Sequence, residues 1–187
     1  MKKYFLPSLK LTLVLLIVCS LLYPLFISAI AKFAPGRGRG ETLSVNGKVV
    51  GYANIGQKFT ADKYFWSRPS AVDYNAAGSA GSNKGPTNPD YLKQVQNRID
   101  SFLVHNPSVK KADIPSELVT ASGSGLDPDL SPRGAYVQVA RIAKIRNIPE
   151  QRIQTLVEQQ IQKPLLGLFG PPKVNVLKLN IDLDNLE

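Results

Sequence analysis

The sequence predicts an α+β protein: one N-terminal transmembrane helix followed by a single mixed α/β extracytoplasmic domain. Three observations carry that expectation. Leu11 to Ala31 is a run of 21 residues without a charge, bounded by Lys10 and Lys32. Beyond it, apolar residues recur at helical spacing in three segments, after Pro89, Pro132 and Pro149. Strand patterning stands at both ends of the same region, as a hairpin around Asn46-Gly47 and as a strict alternation at the C-terminus.

The organisation read from this is a cytoplasmic tail over 1–10, a transmembrane helix over 11–31, a linker over 32–41 and an extracytoplasmic domain over 42–187. A 21-residue helix is about 31 Å long, which matches a hydrocarbon layer of about 30 Å. The competing reading is a cleaved signal peptide, since Lys2, Lys3 and Lys10 open the chain and Ala29-Ile30-Ala31 has a small-x-small pattern, with Pro24 placed to break the helix before it. The apolar run exceeds the usual signal length of about 7–15 residues and is closed by Lys32, which favours an uncleaved anchor. Flanking charge is nearly balanced. Long domains translocate largely regardless of charge, so the short tail is placed inside and the domain outside.

The elements follow in order. The Gly-, Pro- and Arg-rich residues 34–41 read as a tether. Leu43-Ser44-Val45 and Lys48-Val49-Val50 flank Asn46-Gly47, a pair suited to the positive φ angles of a two-residue turn. Residues 67–90 read as a long loop, a length that is often functional. Asn88 caps a helix with Pro89 in its first turn, running to about His105 with Leu92, Val95, Ile99, Phe102 and Leu103 on one side. Leu118-Val119-Thr120 is a strand candidate. Ser131 and Pro132 start a second helix with Ala135, Val139, Ile142 and Ala143 as its apolar stripe, leaving Arg133, Arg141, Lys144 and Arg146 on a solvated face. The third helix follows Pro149, buries Ile153, Leu156, Val157 and Ile161, and ends at Pro164. From Val174, Leu177, Leu179, Ile181 and Leu183 alternate with polar residues and read as a half-buried strand.

Composition narrows the function. Of 23 Lys and Arg against 14 Asp and Glu, four Lys fall in residues 1–32, so the remainder is only mildly basic and its cations are scattered. A nucleic-acid surface would gather them, and Arg37 and Arg39 alone make a weak phosphate site. The single cysteine, Cys19, rules out an intramolecular disulfide and a cysteine-built zinc site.

No catalytic set emerges. The one histidine, His105, closes a predicted helix, and Ser122 and Ser124 lack the spacing of a strained nucleophile elbow. Residues 78–84 are glycine-rich but lack the Gly-Lys-Ser/Thr end of a phosphate loop. Asp127 and Asp129 stand on either side of Pro128, with Pro132 close behind and no closing Glu, which reads as turn-making rather than calcium binding. The run Tyr64-Phe65-Trp66 cannot bury all three rings on one face, so either core or partner takes the odd one, and the nearby Arg68 suits an interface centre.

The combination of Tyr64-Phe65-Trp66-Ser67-Arg68-Pro69-Ser70-Ala71, Tyr74-Asn75, Gly81-Ser82-Asn83 and Gly85-Pro86-Thr87-Asn88-Pro89 resembles the KdpC family. The block from Leu118 through Ser124-Gly125-Leu126-Asp127-Pro128 to Ser131-Pro132, and Val174-Asn175-Val176 with Leu179-Asn180, are similar to its centre and ending. The resemblance covers nearly the whole chain. It implies a non-catalytic accessory subunit of a high-affinity, ATP-driven potassium uptake complex in the bacterial inner membrane.

The implied partners are a channel-like potassium-translocating subunit, a P-type ATP-hydrolysing subunit and a small membrane peptide subunit; ATP and K+ belong to that complex, and no cofactor is expected on this chain. The resemblance further implies a catalytic chaperone raising ATP affinity, with Gln96, Asn97 and Arg98 matching the stretch implicated in nucleotide contact. Partner-interface candidates are Tyr64, Phe65, Trp66, Arg68, Asn75, Asn83, Asn88, Ser122, Ser124 and Asp127. Asp129 departs from the family pattern, in which His or Asn can stand, and this leaves a metal or proton role there unsupported. The alternative from another class is an anchored or secreted enzyme using the 67–90 loop.

Overall fold

The structure, a computed structural model, describes residues 2–186; residue 1 of the expected tail and residue 187 of the expected domain lie outside the described residues. The chain divides into two compact units, residues 1–42 and 43–187.

In the first unit, α1 (Lys2–Ile17), a π-helical turn (Val18–Leu22) and α2 (Tyr23–Ala31) run on as one helix. The stretch Lys3–Ala31 is long and apolar enough to cross a membrane, and none of its side chains is buried. Pro24 does not break it. Proline has no N–H for the carbonyl four residues back, and its ring clashes with that carbonyl. The turn just before it widens instead, so that the Tyr23 N–H donates five residues back to the Val18 carbonyl.

The second unit is mixed helix and strand, with the strands reduced to two pairs. β1 (Thr42–Val45) and β2 (Lys48–Tyr52) form the expected hairpin, turned by Asn46 and Gly47 at φ +50° and +77°. The loop at 67–90 holds one short 3-10 turn, Ala76–Gly78, and leads into α3 (Pro89–His105), whose first turn is capped by Asn88 accepting from the Tyr91 N–H. β3 (Asp129–Leu130) pairs antiparallel with β4 (Val174–Asn175). α4 (Pro132–Tyr136), α5 (Val139–Arg146) and α7 (Val176–Asp184) gather around α6 (Glu150–Gln160). The core is the shared interior of these helices, with Ile142, Ile153, Val157, Leu179 and Leu183 fully enclosed.

Four expectations are corrected. The C-terminal alternation is not a strand: after two residues of β4, Asn175 accepts from the Lys178 N–H and starts a helix. Val176, Leu177, Leu179, Asn180 and Leu183 then share its buried side, a spacing the alternation also contains. Asn175→Ala should lower unfolding stability by about 1–2 kcal/mol through the lost cap, and by more where its amide leaves the Ala53 carbonyl unpaired; chemical denaturation measures it.

Leu118-Val119-Thr120 is no strand either. Ser116–Leu118 is a 3-10 turn, locked by the Thr120 N–H and hydroxyl, both donating to the Ser116 carbonyl. The second helix is split at Val137 and Gln138, because the Gln138 side-chain amide takes the Gly134 carbonyl that its own backbone N–H would need. The third helix stops at Gln160 rather than Pro164, where paired bonds between Gln162 and Lys173 draw the chain out of helical geometry and leave Ile161 half-buried.

Candidate functional site

The aromatic run Tyr64-Phe65-Trp66 has no neighbouring strand, and its backbone is bonded by side chains instead. Asn180 receives the Phe65 N–H at 2.8 Å and returns a bond to the Phe65 carbonyl at 3.0 Å. Gln138 does the same for Trp66, at 2.8 Å and 3.3 Å. Arg141 donates to the Tyr64 carbonyl at 3.1 Å and to the Asp62 carbonyl. Buried backbone groups must be paired, and here three side chains supply what a sheet would.

The same contacts resolve where three consecutive rings go. Phe65 is fully enclosed in the core. Tyr64 and Trp66 flank it half-buried, each under a cation: Arg146 lies 5.1 Å from the Tyr64 ring, and Arg141 lies 4.7 Å from the Trp66 ring. Arg141 and Arg146 therefore do not belong to a solvated face, as the sequence suggested. Arg141 is 5% exposed and also bonds Asn106 and Gln138; Arg146 bonds the Lys63 carbonyl and Asp184. Burial lowers the Arg141 pKa to about 10, and Asp62 opposes the shift, so the guanidinium stays charged at neutral pH.

Beside this segment two loops interlock, 67–81 and 121–127. Pro69 accepts from the Ser122 N–H at 3.0 Å, Ser70 donates to the Gly125 carbonyl at 2.7 Å, and Ser79 donates to the Ser124 carbonyl at 2.9 Å. Arg68 and Asp127 close the junction as an ion pair at 2.9 Å. Gly125, at φ +69°, has no room for a side chain: a Cβ would lie 2.5 Å from Val72 and 2.8 Å from the Ala80 carbonyl.

The sequence candidates thus meet in part. Arg68, Ser122, Ser124 and Asp127 come together; Ser122 and Ser124 use their hydroxyls to accept from Gly125 and Leu126, and Asp127 accepts from Asp129 N–H, the expected turn-making role. Asn75 caps the short turn at Ala76–Gly78, Asn83 is an exposed positive-φ loop residue, and Asn88 is the cap of α3.

A cavity of about 530 Å3 opens against this junction, lined by Lys58, Trp66, Arg68, Tyr74, Asn97, Arg98 and His105 among others. Of the stretch 96–98, Asn97 and Arg98 line it, whereas Gln96 bonds Asp100 and Lys111. Each basic group on the wall has a partner: Lys58 pairs with Asp73, Arg68 with Asp127, His105 with Asp62, and Arg98 donates to the Val119 carbonyl. A phosphate entering would have to compete with these bonds.

Burial drives the Tyr74 hydroxyl, which donates to the Arg68 carbonyl, up to about 12. The folded state then holds this proton more tightly than the unfolded chain, so its stabilisation is complete below pH 10 and fades between pH 10 and 12. Tyr74→Phe should be the less stable protein at pH 8, and its deficit should shrink by up to about 2.7 kcal/mol on titration to pH 12. Denaturation of both proteins across that range checks it.

The family model described as K+-transporting ATPase, c chain, KdpC, matches residues 5–185. The chain belongs to the KdpC family. The potassium-transporting ATPase KdpC subunit of Flavobacterium johnsoniae is 60% identical over 179 residues, which is 96% of this chain and 96% of the relative. That of Bacteroides fragilis strain YCH46 is 53% identical over 188 residues, 99% and 98%. That of Caldanaerobacter subterraneus is 46% identical over 177 residues, 94% and 92%. Two of the blocks by which the sequence resembles the family, around residues 67–71 and 118–128, meet at the junction of residues 67–81 with 121–127.

Sequence reasoning missed Asn180, Gln138 and Arg141, which hold the aromatic run. A signal was present for two of them: Gln138 falls on the stripe of Ala135, Val139 and Ile142, and Asn180 falls four residues after Val176. A polar residue on an apolar stripe is buried with a partner.

Proposed function

We propose that the chain is a non-catalytic accessory subunit of an ATP-driven potassium uptake complex, anchored in the bacterial inner membrane by residues 11–31. The tail over 1–10 is cytoplasmic, 32–41 is a linker, and the domain over 42–187 is extracytoplasmic. It packs on the external face of a channel-like translocating subunit and stabilises the assembly with a P-type ATP-hydrolysing subunit and a small membrane peptide. The observation that carries this reading is family membership over residues 5–185. The interlocked loops support it: a junction closed by three hydrogen bonds and an ion pair is a rigid surface, which loses little entropy on docking. Interface candidates are Tyr64, Trp66, Arg68, Asn75, Asn83, Asn88, Ser124 and Asp127, while Phe65 and Ser122 are buried and support them from beneath.

In this reading the chain raises ATP affinity of the hydrolysing subunit through subunit contact, because the cations of its own cavity are already paired. Purification of the complex from cells lacking the chain should return the other subunits dissociated, with K+-stimulated ATP hydrolysis reduced more than ten-fold. An intact, fully active pump without it refutes the proposal. Recovery of hydrolysis at raised ATP in the depleted complex is the expected sign of the affinity effect.

A further inference from the structure

The hairpin between α6 and β4 carries a patch that neither the fold nor the junction uses. From Pro164 to Pro172 nine residues contain no charged or polar side chain, and Lys163 and Lys173 stand on either side. Leu165, Leu166, Leu168 and Phe169 are 69%, 81%, 82% and 64% exposed. Four large apolar side chains this open within five residues are a contact surface rather than scattered surface residues.

Two features say what surrounds them. Most N–H groups of the tip are spent internally: Gly167 donates to Pro164, Leu168 and Phe169 donate to Leu165, and Leu165 donates to Phe169, while Pro164, Pro171 and Pro172 have no N–H. A backbone with few unpaired donors can leave water for an apolar medium at little loss. The second feature is an internal comparison. The β1–β2 turn places Asn46 and Gly47 at φ +50° and +77°; this one places Leu166 and Gly167 at +54° and +73°. Asn and Gly suit those angles, whereas Leu is strained there, so water and backbone geometry both disfavour Leu166.

A lysine at each side of the base of this apolar tip fits phosphate headgroups above acyl chains. Lys173 is held by Asp129 at 2.6 Å, which leaves the exposed Lys163 as the freer of the two. We infer that the 164–172 hairpin is a membrane-docking wedge that inserts into the interfacial layer of a lipid bilayer. This rests on the anchoring proposed above, which keeps the hairpin near a bilayer: the 11 residues from 32 to 42 span at most about 40 Å.

The test is a set of single-cysteine full-length chains, labelled with a short environment-sensitive fluorophore and reconstituted alone into phosphatidylethanolamine–phosphatidylglycerol vesicles. Native Cys19 reports the anchor. In a Cys19→Ala background, Phe169→Cys and Leu168→Cys report the tip, and Val104→Cys, a position 77% exposed on α3, reports solvent. Spin-labelled lipids should quench both tip probes at least three-fold more than the Val104 probe, and aqueous iodide should quench them less. Leu166→Asn, which relieves the strained turn, should preserve stability while moving the Leu168 probe toward water. Tip probes as open to iodide as the Val104 probe, with Cys19 shielded by lipid, overturn the wedge alone. Shielding of the tip only when other subunits are present overturns it in favour of a protein contact. A Cys19 probe in water overturns the anchoring and the wedge with it.

Discussion

Arg141→Met will destabilise the folded domain by on the order of 3–5 kcal/mol, the largest effect of any single side chain outside the apolar core. The guanidinium serves the carbonyls of Asp62 and Tyr64 together with Asn106 and Gln138, and it stacks on Trp66. Methionine fills similar volume but donates nothing, so the carbonyls of Asp62 and Tyr64 and the amide oxygen of Asn106 lose their partner in a largely buried site, while Gln138 keeps the Trp66 N–H; each lost partner costs about 1–3 kcal/mol before local relaxation. Chemical denaturation of the detergent-solubilised chain is the measurement. Arg141→Lys should recover only part of the loss, since an ammonium cannot reach all four acceptors in the planar fork of an arginine.

Asn180→Leu is expected to cost about 2–4 kcal/mol by the same logic. Leucine is close to isosteric and suits the buried side of α7, yet it strips both the N–H and the carbonyl of Phe65 of their partners. An apolar substitution that looks favourable by burial therefore should unfold the protein sooner. Hydrogen exchange offers a local readout: the Phe65 amide should lose protection relative to amides of α6. Asn180→Ala combined with Gln138→Ala should exceed the sum of the single effects, because both hold one segment.

The long apolar N-terminal helix, the Asn46-Gly47 hairpin and the capped start of α3 were legible because each depends on neighbours within a few residues. The C-terminal strand was misread because period two and the helical spacing coexist in Val176 to Leu183, and only the Asn175 cap decides between them. The clamps on the aromatic run join residues 72 to 115 positions apart, and no local pattern names the partner. The split between α4 and α5 was hidden likewise, since it turns on one glutamine amide choosing the Gly134 carbonyl. The junction was visible as quoted blocks but not as a contact between them.

The widened turn before Pro24 inserts one extra residue into a helix that otherwise advances about 100° per residue. Side chains before Val18 and after Leu22 are thereby rotated out of register, and a stripe that begins on one flank ends on another. A straight neighbouring helix would meet the first stripe along one half of its length and a different set of side chains along the other. Two companion helices, each lying against half of its length, can both be matched by this one helix.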